Sequence, residues 1–257
     1  VNSSEARTGS NGRSGDVVLE VTGLRKSYGG VVAVKGLDAT VNRGEITGLI
    51  GPNGSGKTTT FSMISGATRP DEGRVVLDGE DITSASMHRI ANRGLLLTFQ
   101  ITRIFPQMTV IENLTVKRGA RRVARETLVW ELAETVGLHT KLDEYAGDLS
   151  FGQQKLLELV RTAALEPAIM LLDEPFAGVN ETMERKLVDF IQHVRHERQC
   201  SFFLIDHEMR LIMELCDHIY VMSNGELICQ GNAEVVQADP ATMEAYFGKG
   251  YIAGARE

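Results

Sequence analysis

The octapeptide Gly51-Pro52-Asn53-Gly54-Ser55-Gly56-Lys57-Thr58 stands between an apolar run, Glu45 to Ile50, and a helical stretch, Thr59 to Ser65. A glycine-rich turn that joins a buried strand to a helix beginning near Gly56 is a phosphate-binding loop in its required context. It constrains the chain to an α/β fold with a P-loop core. Glycines 51, 54 and 56 let backbone N–H groups wrap close to phosphate oxygens, and the helix N-terminus adds the positive end of its dipole. Lys57 is expected to reach the β and γ phosphates of a nucleotide, and Thr58 to offer its hydroxyl to Mg²⁺, with Pro52, Asn53, Ser55 and Thr59 completing the binding loop.

Further along, Ile169 to Leu172 reads as a buried strand whose carboxyl end presents Asp173 and Glu174. Ligands of α/β sheets sit at that edge. Asp173 is expected to orient the metal shell and Glu174 to polarise the attacking water as general base. A second apolar strand, Ser201 to Ile205, ends at Asp206-His207. Ahead of both strands in the chain lies Leu149-Ser150-Phe151-Gly152-Gln153-Gln154-Lys155, where Ser150 and Gly152 open another helix able to hold a phosphate at its N-terminus. One nucleotide does not need two such sites.

These motifs, in this order, resemble the ATP-binding cassette (ABC) ATPases, and the resemblance covers about Val17 to Gly248. The family signature is usually Leu-Ser-Gly-Gly-Gln, so the chain departs at Phe151. An aromatic there resembles the branch that energises branched-chain amino-acid uptake. The resemblance implies ATP and Mg²⁺ as ligand and cofactor, and an antiparallel β subdomain and a helical subdomain beside a RecA-like ATPase core. It implies that His207 touches the γ phosphate and that Tyr28, ahead of Gly29-Gly30, stacks on adenine. Gln100, after the strand-like run Leu95 to Phe99, is expected to contact the metal or water and to begin a segment facing a membrane partner. Ser150, Gly152 and Gln153 would cover the nucleotide of a second cassette packed head to tail, the same chain or a related ATPase. Membrane permease subunits would carry the small-molecule solute, and the chain would lie in the cytoplasm, peripheral on the inner face of the cell membrane. Stretches around Asp71 to Thr83 also resemble the lipopolysaccharide-export ATPase, so that exporter and a non-transport cassette are the alternatives. Asn180 stands where the family has Asp in the loop after the catalytic Glu.

Composition narrows the remaining classes. Lys plus Arg number 27 against 34 Asp plus Glu, a formal charge of −7, which disfavours a nucleic-acid surface. Arg118, Arg121, Arg122 and Arg125 make a local basic patch that reads as a solvated helix face. Three cysteines without paired spacing suggest neither zinc nor a disulfide framework. No run approaches eighteen apolar residues. Residues 1–15, rich in Ser, Gly and Asn, read as a flexible tail, and 16–257 as a single cassette. Its core lobe is expected over about 16–108 and 167–257, and its helical lobe over about 109–166. In the segment Ile101 to Met108, Ile104 and Phe105 read equally as contact surface or as core. Arg74 to Asp78 is expected as a strand, and Pro240 as a break between two short terminal helices.

Overall fold

The computed structural model describes residues 17–98, 102–116 and 122–247. The tail at 1–15, Gln100, Arg118 and Arg121 lie outside the described residues.

Long β-branched runs at the start of the chain form a hairpin: β1 (Val17–Tyr28) pairs antiparallel with β2 (Val31–Asn42) across Gly29-Gly30. After β3 (Ile46–Ile50) and α1 (Lys57–Ile64), β4 (Glu72–Leu77) returns antiparallel to β1, followed by the short β5 (Glu80–Asp81). These make one four-stranded antiparallel sheet, β2-β1-β4-β5. Asp78, expected as the end of β4, has φ +48 and belongs to the turn before β5. A left-handed backbone breaks the strand there.

The chain continues through α2 (Met87–Asn92) and β6 (Leu95–Leu97) to three helices, α3 (Val110–Thr115), α4 (Arg122–Thr135) and α5 (Phe151–Ala163). It then returns through β7 (Ile169–Asp173), α6 (Glu181–Arg198), β8 (Ser201–Ile205), α7 (Met209–Leu215), β9 (His218–Ser223) and β10 (Glu226–Gly231). The helices α8 (Ala233–Ala238) and α9 (Pro240–Phe247) close the described chain. Pro240 begins α9, where its missing N–H is no loss. The strand β10 is absent from the expectations above, although Asn224-Gly225, at φ +50 and +83, is a strong two-residue hairpin signal.

The second sheet has the order β10-β9-β3-β8-β7-β6, parallel except for β10. Its central strands are apolar on both faces because both are covered. Met170, Leu172, Phe202 and Leu204 join the core beneath α4, α5 and α6, while Ile169, Leu171, Phe203 and Ile205 join the core shared with α1 and the antiparallel sheet. The chain leaves β3 toward β6 on one side and reaches β9 on the other. The crevice at the carboxyl end of β3 is therefore a topological switch point, where open α/β sheets bind ligands.

Candidate active site

Three neighbouring strands deliver the site. The loop after β3 carries Gly51 to Thr58, β7 ends at Asp173 and Glu174, and β8 ends at Asp206 and His207. Two of the loop glycines are required by packing as well. A Cβ on Gly51 would lie 2.1 Å from the Met222 carbonyl oxygen of β9, and one on Gly56, at φ +106, 2.5 Å from the Ala33 carbonyl oxygen of β2. The expected wrapping of the loop thus depends on wedging it between two strands. The hairpin turn at Gly225 fastens it further, donating its N–H to the Ser55 carbonyl at 3.0 Å.

Lys57 points into its own loop. Its ammonium donates to the carbonyl oxygens of Gly51 at 2.8 Å and Pro52 at 3.0 Å. Burial lowers its pKa, against which the carboxylates of Glu174 and Asp173 act. The hydroxyl of Ser55 is buried without a hydrogen-bond partner, so the loop holds one inward polar atom ready for a ligand. Pro52 and Thr59 are half-buried at its rim, and Asn53, Gly54 and Thr58 are exposed.

Glu174 begins the turn after β7 with φ +52, a left-handed backbone held by its N–H to the Ile205 carbonyl at 2.8 Å. A non-glycine residue in that region costs about 1 kcal/mol or more, which the surrounding bonds must offset. Its side chain is mostly buried, and Oε1 lies 2.8 Å from His207 Nε2. These two residues, 33 positions apart, are brought into direct contact by the pairing of β7 with β8.

Asp206 is what aims them, and the sequence reading assigned it no role. The residue is 2% exposed. Its Oδ1 accepts the N–H groups of His207 at 2.7 Å and Glu208 at 3.0 Å, and its Oδ2 accepts that of Phe176 at 3.0 Å. One carboxylate therefore ties the turn after β7 to the turn after β8. The available signal was a charged residue closing a wholly apolar strand.

Asp173 carries the largest perturbation in the site. Burial, and then the neighbouring negative charge of Glu174, push its pKa up to about 6, with Lys57 opposing. Because that value exceeds the ordinary 3.8, the contribution of this carboxyl to stability is fully present below 3.8 and is lost as pH rises through about 6. In nucleotide-free and metal-free buffer, Asp173→Asn is expected to melt above the wild type at pH 8, with the difference closing as pH falls to 4. Thermal melts across that range check it; a difference that does not change with pH would overturn it.

The same electrostatics test the fit of a divalent cation. Asp173, Glu174 and Asp206 outnumber the two buried lysines that face them, Lys57 and Lys155. Thr58 and Asp173 offer hard oxygen donors, which suit Mg²⁺. Among the described residues no group of three or more His, Cys, Asp or Glu could cage a metal.

The remaining expected residues lie as follows. Ser150 caps α5 in a capping box: its N–H donates to Gln153 Oε1 at 3.0 Å, and its Oγ accepts the Gln153 N–H at 3.4 Å. Gly152 lies under Met183, whose Cγ would be 2.5 Å from an added Cβ. Asn180 caps α6, accepting the Met183 N–H at 3.0 Å. The amide thus retains a capping function for which a charge is unnecessary. Tyr28 ends β1 half exposed, with the Lys26 ammonium 5.6 Å from its ring centroid. Ile104 packs against the core whereas Phe105 is 47% exposed, with the Arg161 guanidinium 5.4 Å from its ring centroid.

The family model described as "ABC transporter" matches residues 34–177. The high-affinity branched-chain amino acid transport ATP-binding protein BraF of Pseudomonas aeruginosa is 36% identical over 250 residues, covering 90% of this chain and 98% of that protein. The lipopolysaccharide export system ATP-binding protein LptB of Haemophilus influenzae is 36% identical over 236 residues, covering 90% of this chain and 98% of that one. Among solved structures, the ADP conformation of MJ1267, an ATP-binding cassette of an ABC transporter, superposes with a TM-score of 0.82. It is 30% identical and covers 91% of this chain and 99% of that chain.

Proposed function

The chain belongs to the ABC transporter family of ATP-hydrolysing subunits, and from that premise we propose that it powers uptake of branched-chain amino acids or related small amides as one cassette of a head-to-tail pair. The observation that carries the hydrolytic part is the Glu174–His207 contact at 2.8 Å beside the phosphate loop. Glu174 is the general base toward water, and His207 holds its carboxylate and reaches toward the γ phosphate. Lys57 exchanges its two loop carbonyls for phosphate oxygens. Mg²⁺, held by Thr58, Asp173 and Gln100, would supply charge neutralisation of the phosphates when bound. Tyr28 offers a π face to adenine.

The pairing rests on α5. A capped helix N-terminus at Ser150 to Gln153 is a second anion site on a chain that already has one. In the pair, each covers the nucleotide of the other, so ATP closes the dimer and loss of the γ phosphate opens it. That two-state element moves the permease. Support for the permease-facing surface comes from an open cleft of about 680 Å³ lined by residues including Met87, Leu95, Ile104, Phe105 and Arg161. No helix among the described residues is long and apolar enough to cross a membrane. In the proposed complex permease subunits carry the solute, the cassette acts at the cytoplasmic face of the membrane, and residues 16–257 form that one cassette.

Sedimentation of Glu174→Gln with and without ATP tests the pairing. The expected result is a doubling of mass with ATP that wild type loses as it hydrolyses; a chain that binds ATP and stays monomeric overturns the homodimer. The substrate class is read from uptake of labelled leucine in cells lacking the protein. Unchanged leucine uptake with defective lipopolysaccharide export would favour the alternative suggested by the LptB-like relative.

A further inference from the structure

The turn that carries Glu174 is gripped from a second side, by a lysine of the signature helix. Lys155 lies in the second turn of α5 and is 6% exposed. Its ammonium donates to the carbonyl oxygens of Glu174 at 3.0 Å, Pro175 at 3.1 Å and Ala177 at 2.7 Å. An ammonium has three N–H donors, and all three are spent on one short turn. Burial lowers the pKa of this lysine, and the carboxylates of Asp206, Glu158 and Glu174 counter that effect.

A buried lysine is a poor choice for stability alone, since desolvating its charge is costly unless it is fully paired. Here the pairing has a particular geometry. The carbonyl of Glu174 belongs to the peptide plane that immediately follows the catalytic side chain, and that residue already sits in a left-handed backbone. Fixing the plane fixes the direction in which the carboxylate leaves the backbone.

The first turn of α5 covers this clamp and makes one more contact with the segment beyond Glu174. The Phe151 ring lies over the Lys155 ammonium at 5.3 Å from centroid to nitrogen. Its edge also closes on Gly178, where an added Cβ would be 3.3 Å from Phe151 Cε1. The aromatic that replaces the family's signature glycine therefore packs against the turn and covers its clamp. Farther along α5, Glu158 accepts the Arg103 N–H at 3.2 Å, and Arg161 donates to the Arg103 carbonyl. One helix thus holds the catalytic turn through Lys155 and the segment ahead of Phe105 through Glu158 and Arg161.

We infer that Lys155, shielded by Phe151, is a positioning residue that makes the orientation of Glu174 depend on the position of the signature helix. Displacement of α5 pulls three carbonyls of the catalytic turn with it. The hydrolytic readiness of one site is in this way set by what the first turn of α5 engages. The inference rests on the proposed role of Glu174 as general base.

Steady-state ATP hydrolysis, nucleotide affinity and thermal melting of wild type, Lys155→Met, Lys155→Gln and Lys155→Arg test it. Misplacing a reacting group by about 1 Å can cost about a hundredfold. Lys155→Met is expected to lose about that much kcat, with KM and ATP affinity within about twofold of wild type. Lys155→Arg, which restores several donors, is expected to recover most of the rate, and Lys155→Gln to fall between. Should Lys155→Met fail to fold, the Gln and Arg variants still give the ordering. Wild-type kcat in a folded Lys155→Met or Lys155→Gln overturns the inference, as does a loss confined to KM. A wild type without ATPase activity would instead overturn the function on which it rests.

Discussion

Replacing Glu174 by Gln is expected to lower ATP turnover by about 10² to 10⁴-fold, the range that a positioned general base contributes. Glutamine keeps the volume and one acceptor oxygen, so the turn after β7, the contact with His207 and ATP affinity should survive. The fall should therefore be in kcat with KM little changed, the pattern of an interaction made only in the transition state. His207→Ala removes the group 2.8 Å from Glu174 Oε1 and leaves the base in place without that contact. Its loss should be smaller than that of Glu174→Gln and should not add fully to it, because the two act as one unit. Phosphate release by the two single variants and the double variant checks this. Turnover of Glu174→Gln within about threefold of wild type would remove Glu174 from the role of base.

Asp206→Ala is expected to cause the largest loss of stability among the site substitutions. The variant removes the shared acceptor of three N–H groups, of which that of Phe176 is buried and has no route to water. A buried donor left unpaired costs about 1–3 kcal/mol, and loss of a carboxylate facing Lys155 adds to this. Urea denaturation should show a decrease of about 2–4 kcal/mol, with Asp206→Asn recovering part of it. The prediction fails if Asp206→Ala is within about 0.5 kcal/mol of wild type. Asp173 supplies an internal control. The charge of Asp206 raises its pKa, so removing that charge should lower it even as the protein weakens.

The elements were legible wherever pattern and local chemistry agreed. The apolar strands at Ile46, Ile169 and Ser201 and the helix opening at Ser150 carry their own signals of period and cap. The strand β10, absent from the expectations, has an equally local signal in its Asn224-Gly225 turn. Asp206 and Lys155 could not have been found the same way. A carboxylate after a strand and a lysine in an amphipathic helix are ordinary in sequence. Only their burial and the convergence of three acceptors or three donors upon each set them apart.

From the sequence alone come the phosphate loop, the acids that end the apolar strands, the signature at Ser150 and hence the family, because each depends on residues adjacent in the chain. The tertiary structure decided which groups act on one another. It set Glu174 against His207, tied both turns through Asp206, and joined the signature helix to the catalytic turn through Lys155. Those contacts follow from the order of β3, β8 and β7 in the sheet and from the packing of α5 beneath it. Such long-range geometry is a property of the packed core and leaves no periodic trace in the chain that encodes it.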